Sequence, residues 1–70
     1  MKPSSGLRFV HSRLMCQDAL AAGQSKFALC QIVRVIDNIV WYEVLGANGT
    51  IVSREWCDTD RFPDICGEAA

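Results

Sequence analysis

Phe27-Ala28-Leu29-Cys30-Gln31-Ile32-Val33-Arg34-Val35-Ile36, then Asp37-Asn38, then Ile39-Val40-Trp41-Tyr42-Glu43-Val44-Leu45 is the stretch on which the fold turns. Only Gln31 and Arg34 interrupt an apolar, largely β-branched first run, which is the composition of a strand covered on both faces. Asp and Asn tolerate positive φ, so Asp37-Asn38 reads as a two-residue hairpin turn and residues 39–45 as the returning strand. The next break, Gly46-Ala47-Asn48-Gly49, holds the strongest short hairpin signal of the chain, Asn48-Gly49, and residues 50–56 continue as a third strand. An antiparallel meander follows, with residues 27–36 at its centre.

Turn length fixes register and register fixes faces. A tight turn at Asp37-Asn38 sets Ile36 opposite Ile39, Arg34 opposite Trp41, Val33 opposite Tyr42 and Ile32 opposite Glu43. One face then carries Gln31, Val33, Val35, Val40, Tyr42 and Val44, joined by Ile51, Ser53 and Glu55. The other carries Ile32, Arg34, Ile36, Ile39, Trp41, Glu43, Leu45, Val52, Arg54 and Trp56. On this second face Glu43 meets Arg54, and Trp41 meets Trp56, across one ladder. The valine-rich face is the expected interior. The second face is the expected interface, through Trp41, Trp56, Arg34, Arg54, Glu43, Ile39, Leu45 and Val52, because Trp, Tyr and Arg are the residue types enriched at binding hot spots.

Outside the meander, residues 7–11 alternate loosely as a short strand. Ser12 stands where an N-cap belongs, ahead of residues 13–22, and Gly23 stands as a C′ residue, so a helix of about three turns is expected there. Its stripe of Met15, Cys16, Ala19, Leu20 and Gly23 would dock on the valine face. Asp58-Thr59-Asp60-Arg61-Phe62-Pro63-Asp64 reads as a turn or a single helical turn, and residues 1–6 and 67–70 as mobile tails of one domain. The fold class expected is α+β, a short N-terminal helix packed on an antiparallel meander of three or four strands. Short strands, Gly-rich turns and the Trp41-Tyr42 pair resemble the SH3-like barrel at the level of architecture, over residues 27–62. That likeness implies no function.

Half of the 70 residues are hydrophobic, the formal net charge is −1, and charged residues make up 21%. That balance excludes a disordered chain, and no apolar run is long enough to span a membrane. So small a domain cannot hide this much apolar surface, which points to a partner, most simply a homodimer or other homo-oligomer, with a different protein as the alternative. No apolar segment of secretory type follows the N-terminal residues, so a cytoplasmic chain with reduced Cys16, Cys30, Cys57 and Cys66 is the expectation. The cysteines lack the close pairs of a zinc site, and Asp58, Asp60 and Asp64 lack the glycine and distal glutamate of a calcium loop, so no metal or cofactor is expected. Seven basic against eight acidic residues give no surplus for phosphate. Nucleic acid is thus disfavoured, leaving only stacking on the aromatics beside Arg34 and Arg54. No nucleophile elbow, P-loop or zinc-protease motif occurs, and His11 is the only histidine. Catalysis would need a site between subunits, with a polar cleft joining His11 to a cysteine or to the Asp58–Asp60 turn. A non-catalytic interaction module is the leading expectation.

Overall fold

The computed structural model describes residues 2–67. Its elements in chain order are β1 (Arg8–Met15), α1 (Gln17–Ala21), β2 (Phe27–Ile36), β3 (Ile39–Leu45), β4 (Ile51–Asp58), α2 (Phe62–Ile65) and β5 (Cys66–Gly67). The described strands form one antiparallel sheet in the order β4-β3-β2-β1-β5. The meander forms with β2 at its centre. The expected N-terminal helix packed on a sheet does not: residues 8–15 are a strand, and α1 is a five-residue remnant. Among the described residues the sheet has two edge strands, β4 and β5.

The local helix signal lost to tertiary demand. Residues 8–11 are strand, as expected of residues 7–11, and the strand then runs on to Met15, opposite Phe27, through residues expected as cap and helix. Residues 8–10 pair with Gln31, Cys30 and Leu29 and so cover an edge of β2 that would otherwise stand open. They also carry Phe9 into the core, where its ring packs edge-on to Tyr42 at 5.3 Å and to Phe62 at 5.1 Å between centroids. Each such aromatic contact contributes about 0.5–1.5 kcal/mol beyond area burial. Ser12 caps no helix; its hydroxyl donates to the Asp64 carbonyl at 2.7 Å and ties β1 to α2. The C-terminal signal did hold. Gly23, at φ +78°, closes α1 with Gly23 N–H on the Leu20 carbonyl and Gln24 N–H on the Ala19 carbonyl, the paired bonds of a Schellman end.

At the other end of β1, the Gly6 N–H donates to the Ile32 carbonyl and the Ser5 hydroxyl to the Val33 carbonyl, both at 2.8 Å. Of the C-terminal tail expected at 67–70, Gly67 pairs with Val10 in β5, and residues 68–70 lie outside the described residues. Phe62, on α2, is fully buried, so the inner sheet face is closed by β1 and the C-terminal segment and not by α1.

Register departs from the regular ladder at one place in the first hairpin. Arg34, Val35 and Ile36 face Trp41, Val40 and Ile39 as expected, but Ile32 faces Tyr42 and Gln31 faces Glu43, so Val33 is a one-residue bulge. Side-chain parity reverses there. Ala28, Cys30 and Ile32 are buried beside Val40, Tyr42 and Val44, while Val33 is 45% exposed. The expectation of Val33 and Gln31 inside and Ile32 outside is thereby overturned. A regular strand would bury the Gln31 amide, and one extra residue lets Gln31 and Arg34, three apart, share the outer face.

His11 marks a second irregularity, because pairing of β1 with β2 stops after Val10 and resumes only at Met15. Across this gap the His11 Nδ1 accepts the N–H groups of Arg13 at 3.1 Å and Leu14 at 3.0 Å. That pattern assigns a neutral ring with its proton on Nε2. Burial holds the His11 pKa below the ordinary value; the Glu55 carboxylate pulls it upward and Arg13 pushes it down.

Two outcomes are expected. Deleting Val33 leaves every other β2–β3 pair and face intact, so the shortened chain should keep its far-UV spectrum and melt cooperatively, whereas deleting Val35 closes the ladder only by setting Arg34 opposite buried Val40 on the inner face and should abolish the transition. For His11 the folded pKa lies below the unfolded one, so its contribution is intact above about pH 6.5 and declines as the unfolded chain takes the proton first. Between about pH 7.5 and about pH 5 the urea midpoint of the wild type should fall more than that of His11→Gln; parallel profiles would refute the assignment.

Candidate functional site

The outer face of β2, β3 and β4 is built from every second residue of three strands and is covered by no other described element. It holds a shallow groove of about 520 Å³. Arg34, Ile39, Trp41, Glu43 and Arg54 line it, five of the eight residues expected at an interface. Val33 and Ile36 add apolar surface and Asp37 an acid at the turn. Asp37 takes a left-handed φ of 56°, which carries the chain into β3 within two residues.

Register brings the chemistry together. Trp41 lies opposite Trp56 and Glu43 opposite Arg54. The indole rings sit at 6.3 Å with planes tilted by 45°, and the Arg54 Nε donates to the Glu43 Oε2 at 3.3 Å. Arg54 is 77% exposed and Glu43 22%, so this ion pair is worth at most about 1 kcal/mol and serves mainly to hold the guanidinium over the face. Trp56, outside the groove lining, extends the apolar surface from Trp41 toward the β4 edge and is 57% exposed.

Leu45 and Val52 are not part of this surface. A second register shift, between Val44 and Leu45, makes Val52 the extra residue of β4. Leu45 is buried, and both residues line a separate cavity of about 120 Å³ with Leu14, Met15 and Cys16. Beside it the Asp18 carboxylate accepts the Ala47 N–H at 3.2 Å and stands 2.5 Å from where a Cβ on Gly46 would lie, so a side chain there would displace the carboxylate from the loop. Ile36, Asp37, Tyr42, Glu55 and Val33 line the groove outside the expected eight, and Val33 is the one that the bulge moved to this face. The signal available for it was the conflict between Gln31 and a buried face.

The chemical groups elsewhere are arranged for packing. The register sets His11 opposite Cys66, the pairing a Cys-His site would need. Yet the His11 Nδ1 is engaged by two amides, and neither the groove nor the small cavity is lined by His11 or Cys66. Burial, with Glu55 adding to it, pushes the Cys30 thiol up to about 12, and burial, with Asp58, raises Cys57. These thiols stay protonated near neutral pH and are poor nucleophiles. The Tyr42 hydroxyl is likewise pushed up to about 12, by burial first and then by Cys57, Cys30 and Glu55. All four cysteines are free thiols. Among the described residues no three His, Cys, Asp or Glu side chains come together to hold a metal ion, and no helix is long and apolar enough to cross a membrane.

Compared with protein-family models, with curated protein sequences and with solved structures, the chain finds no match, so the reading of this face rests on its own geometry.

Proposed function

We propose that the chain is a non-catalytic interaction module of the cytoplasm, binding protein through the outer face of β2–β4, with a second copy of itself as the occupant. The observation that carries this reading is the adjacent Trp41 and Trp56 beside a groove whose rim holds both signs of charge, Arg34 and Arg54 with Asp37 and Glu43. Such a surface complements its own image across a two-fold axis, since a basic group on one copy finds an acidic group on the other.

Area supports the same reading. The chain exposes 4831 Å², against about 4,400 Å² for a compact monomer of this mass. A standard interface takes about 800 Å² per partner, which the exposed Val33, Ile36, Trp41 and Trp56 and their polar neighbours can supply. Single-stranded nucleic acid is the second reading carried from the sequence, through stacking on the tryptophans. Two carboxylates, Asp37 and Glu43, match the two guanidinium groups of Arg34 and Arg54 around the groove, and that balance speaks for a protein surface over a phosphate backbone.

Light scattering at micromolar concentration should give the wild type at least twice the chain mass, and Trp41→Glu a lower mass with an unchanged far-UV spectrum. A monomeric wild type overturns self-association. Labelled single-stranded DNA or RNA should show no change in fluorescence anisotropy at low salt; tight binding that weakens steeply with salt would replace the proposal with the nucleic-acid reading.

A further inference from the structure

β4 ends the sheet, and among the described residues its outer edge is unpaired along its length. The Thr59 N–H donates to the Asn38 carbonyl at 2.9 Å, and these two residues continue the β3–β4 register. In an antiparallel ladder the hydrogen-bonding side alternates residue by residue. Residues 57, 55 and 53 therefore bond to β3, and the N–H and C=O groups of Arg54, Trp56 and Asp58 point to the free edge. The same three residues carry their side chains on the outer face.

Resting on the self-association reading only in that the partner is a second copy, and adding a contact at the sheet edge that leaves the groove uncovered, we infer that two copies join β4 to β4 in antiparallel fashion about a two-fold axis at Trp56. Register selection is what the sequence of β4 decides. An axis at Arg54 sets Arg54 against its own copy, and an axis at Glu55 does the same for Glu55; like charges directly opposite are unfavourable. An axis at Ser53 spends Arg54 on Val52, inside the bulge. An axis at Cys57 sets Trp56 against the Asp58 carboxylate and throws Arg54 beyond the strand. Only the axis at Trp56 sets indole against indole and Arg54 against Asp58, twice. It uses the outward amides and carbonyls of all three residues, roughly six backbone hydrogen bonds across the axis. The joined chains carry a row of four indoles, Trp41 and Trp56 of each copy, along a continuous ten-stranded sheet. The bulge at Val52 ends the flat segment and limits the pairing to residues 54–58.

The test is charge reversal read as mass by light scattering or sedimentation. Asp58→Arg sets one guanidinium against another across the axis and should weaken dimerisation about tenfold or more, a loss of about 1.4 kcal/mol; Arg54→Asp sets acid against acid with the same result. An equimolar mixture of the two variants restores pairing of unlike charges and should recover the dimer. Should Arg54→Asp fail to fold, Trp56→Cys decides: the two copies' Cα atoms would stand about 5.5 Å apart, within disulfide range, so oxidised glutathione should yield a covalent dimer that the wild type does not form. An Asp58→Arg chain as dimeric as the wild type, with Trp41→Glu still monomeric, overturns edge pairing and leaves association through the groove. A monomeric wild type overturns both.

Discussion

A single surplus residue in β2 sets what lies inside this protein and what lies outside. Gln31 and Arg34 are three positions apart, a spacing that a regular strand splits between its faces. The bulge at Val33 puts both on the outer face, and in doing so aligns Ala28, Cys30 and Ile32 with Val35 on the inner one. The aromatic contacts depend on that alignment. Tyr42 lies opposite Ile32 and reaches the ring of Phe9, which in turn meets Phe62. The groove depends on it as well, since Val33 is free to line it only because it is the residue left over.

The burial of apolar side chains and the retention of apolar surface are two results of the same sheet. Its inner face is closed by strand β1 and by the short C-terminal elements, which bring one large side chain each, Phe9 and Phe62. No described element is left to close the outer face. A chain that cannot cover both sides of its sheet has placed Phe9, Tyr42 and Phe62 on the covered side. Its tryptophans and arginines, which tolerate water at one end and apolar contact at the other, stand on the open one.

Much of this was legible in the sequence. The bounds of β2 and β3, the turn at Asp37-Asn38, and the facing of Glu43 by Arg54 and of Trp41 by Trp56 follow from apolar runs and turn chemistry, which act over a few residues. Three features were not legible, each for a reason of range. The first strand runs past the expected residues 7–11 to Met15 and overrides the cap signal at Ser12 because the partners of that extension, Phe27 for Met15 and the Asp64 carbonyl for Ser12, are distant in sequence. The bulges at Val33 and Val52 are single-residue adjustments that turn length alone cannot register, and they moved Ile32, Val33 and Leu45 between expected and observed surroundings. The two-residue β5 is too short to leave a pattern, and it exists because it lies beside Val10 and His11.

The hydrogen bond from Ser12 to Asp64 spans 52 residues, and it marks where the first strand and the last elements meet. During synthesis at roughly 5–20 residues per second, β1 therefore waits about three to ten seconds before the segment that covers it has been made. The hairpins of β2, β3 and β4 can close in that interval, but Phe9 and Tyr42 remain open to solvent until Phe62 arrives. Until Phe62 arrives both faces of the sheet present apolar side chains to solvent, the condition under which association between copies is most favoured.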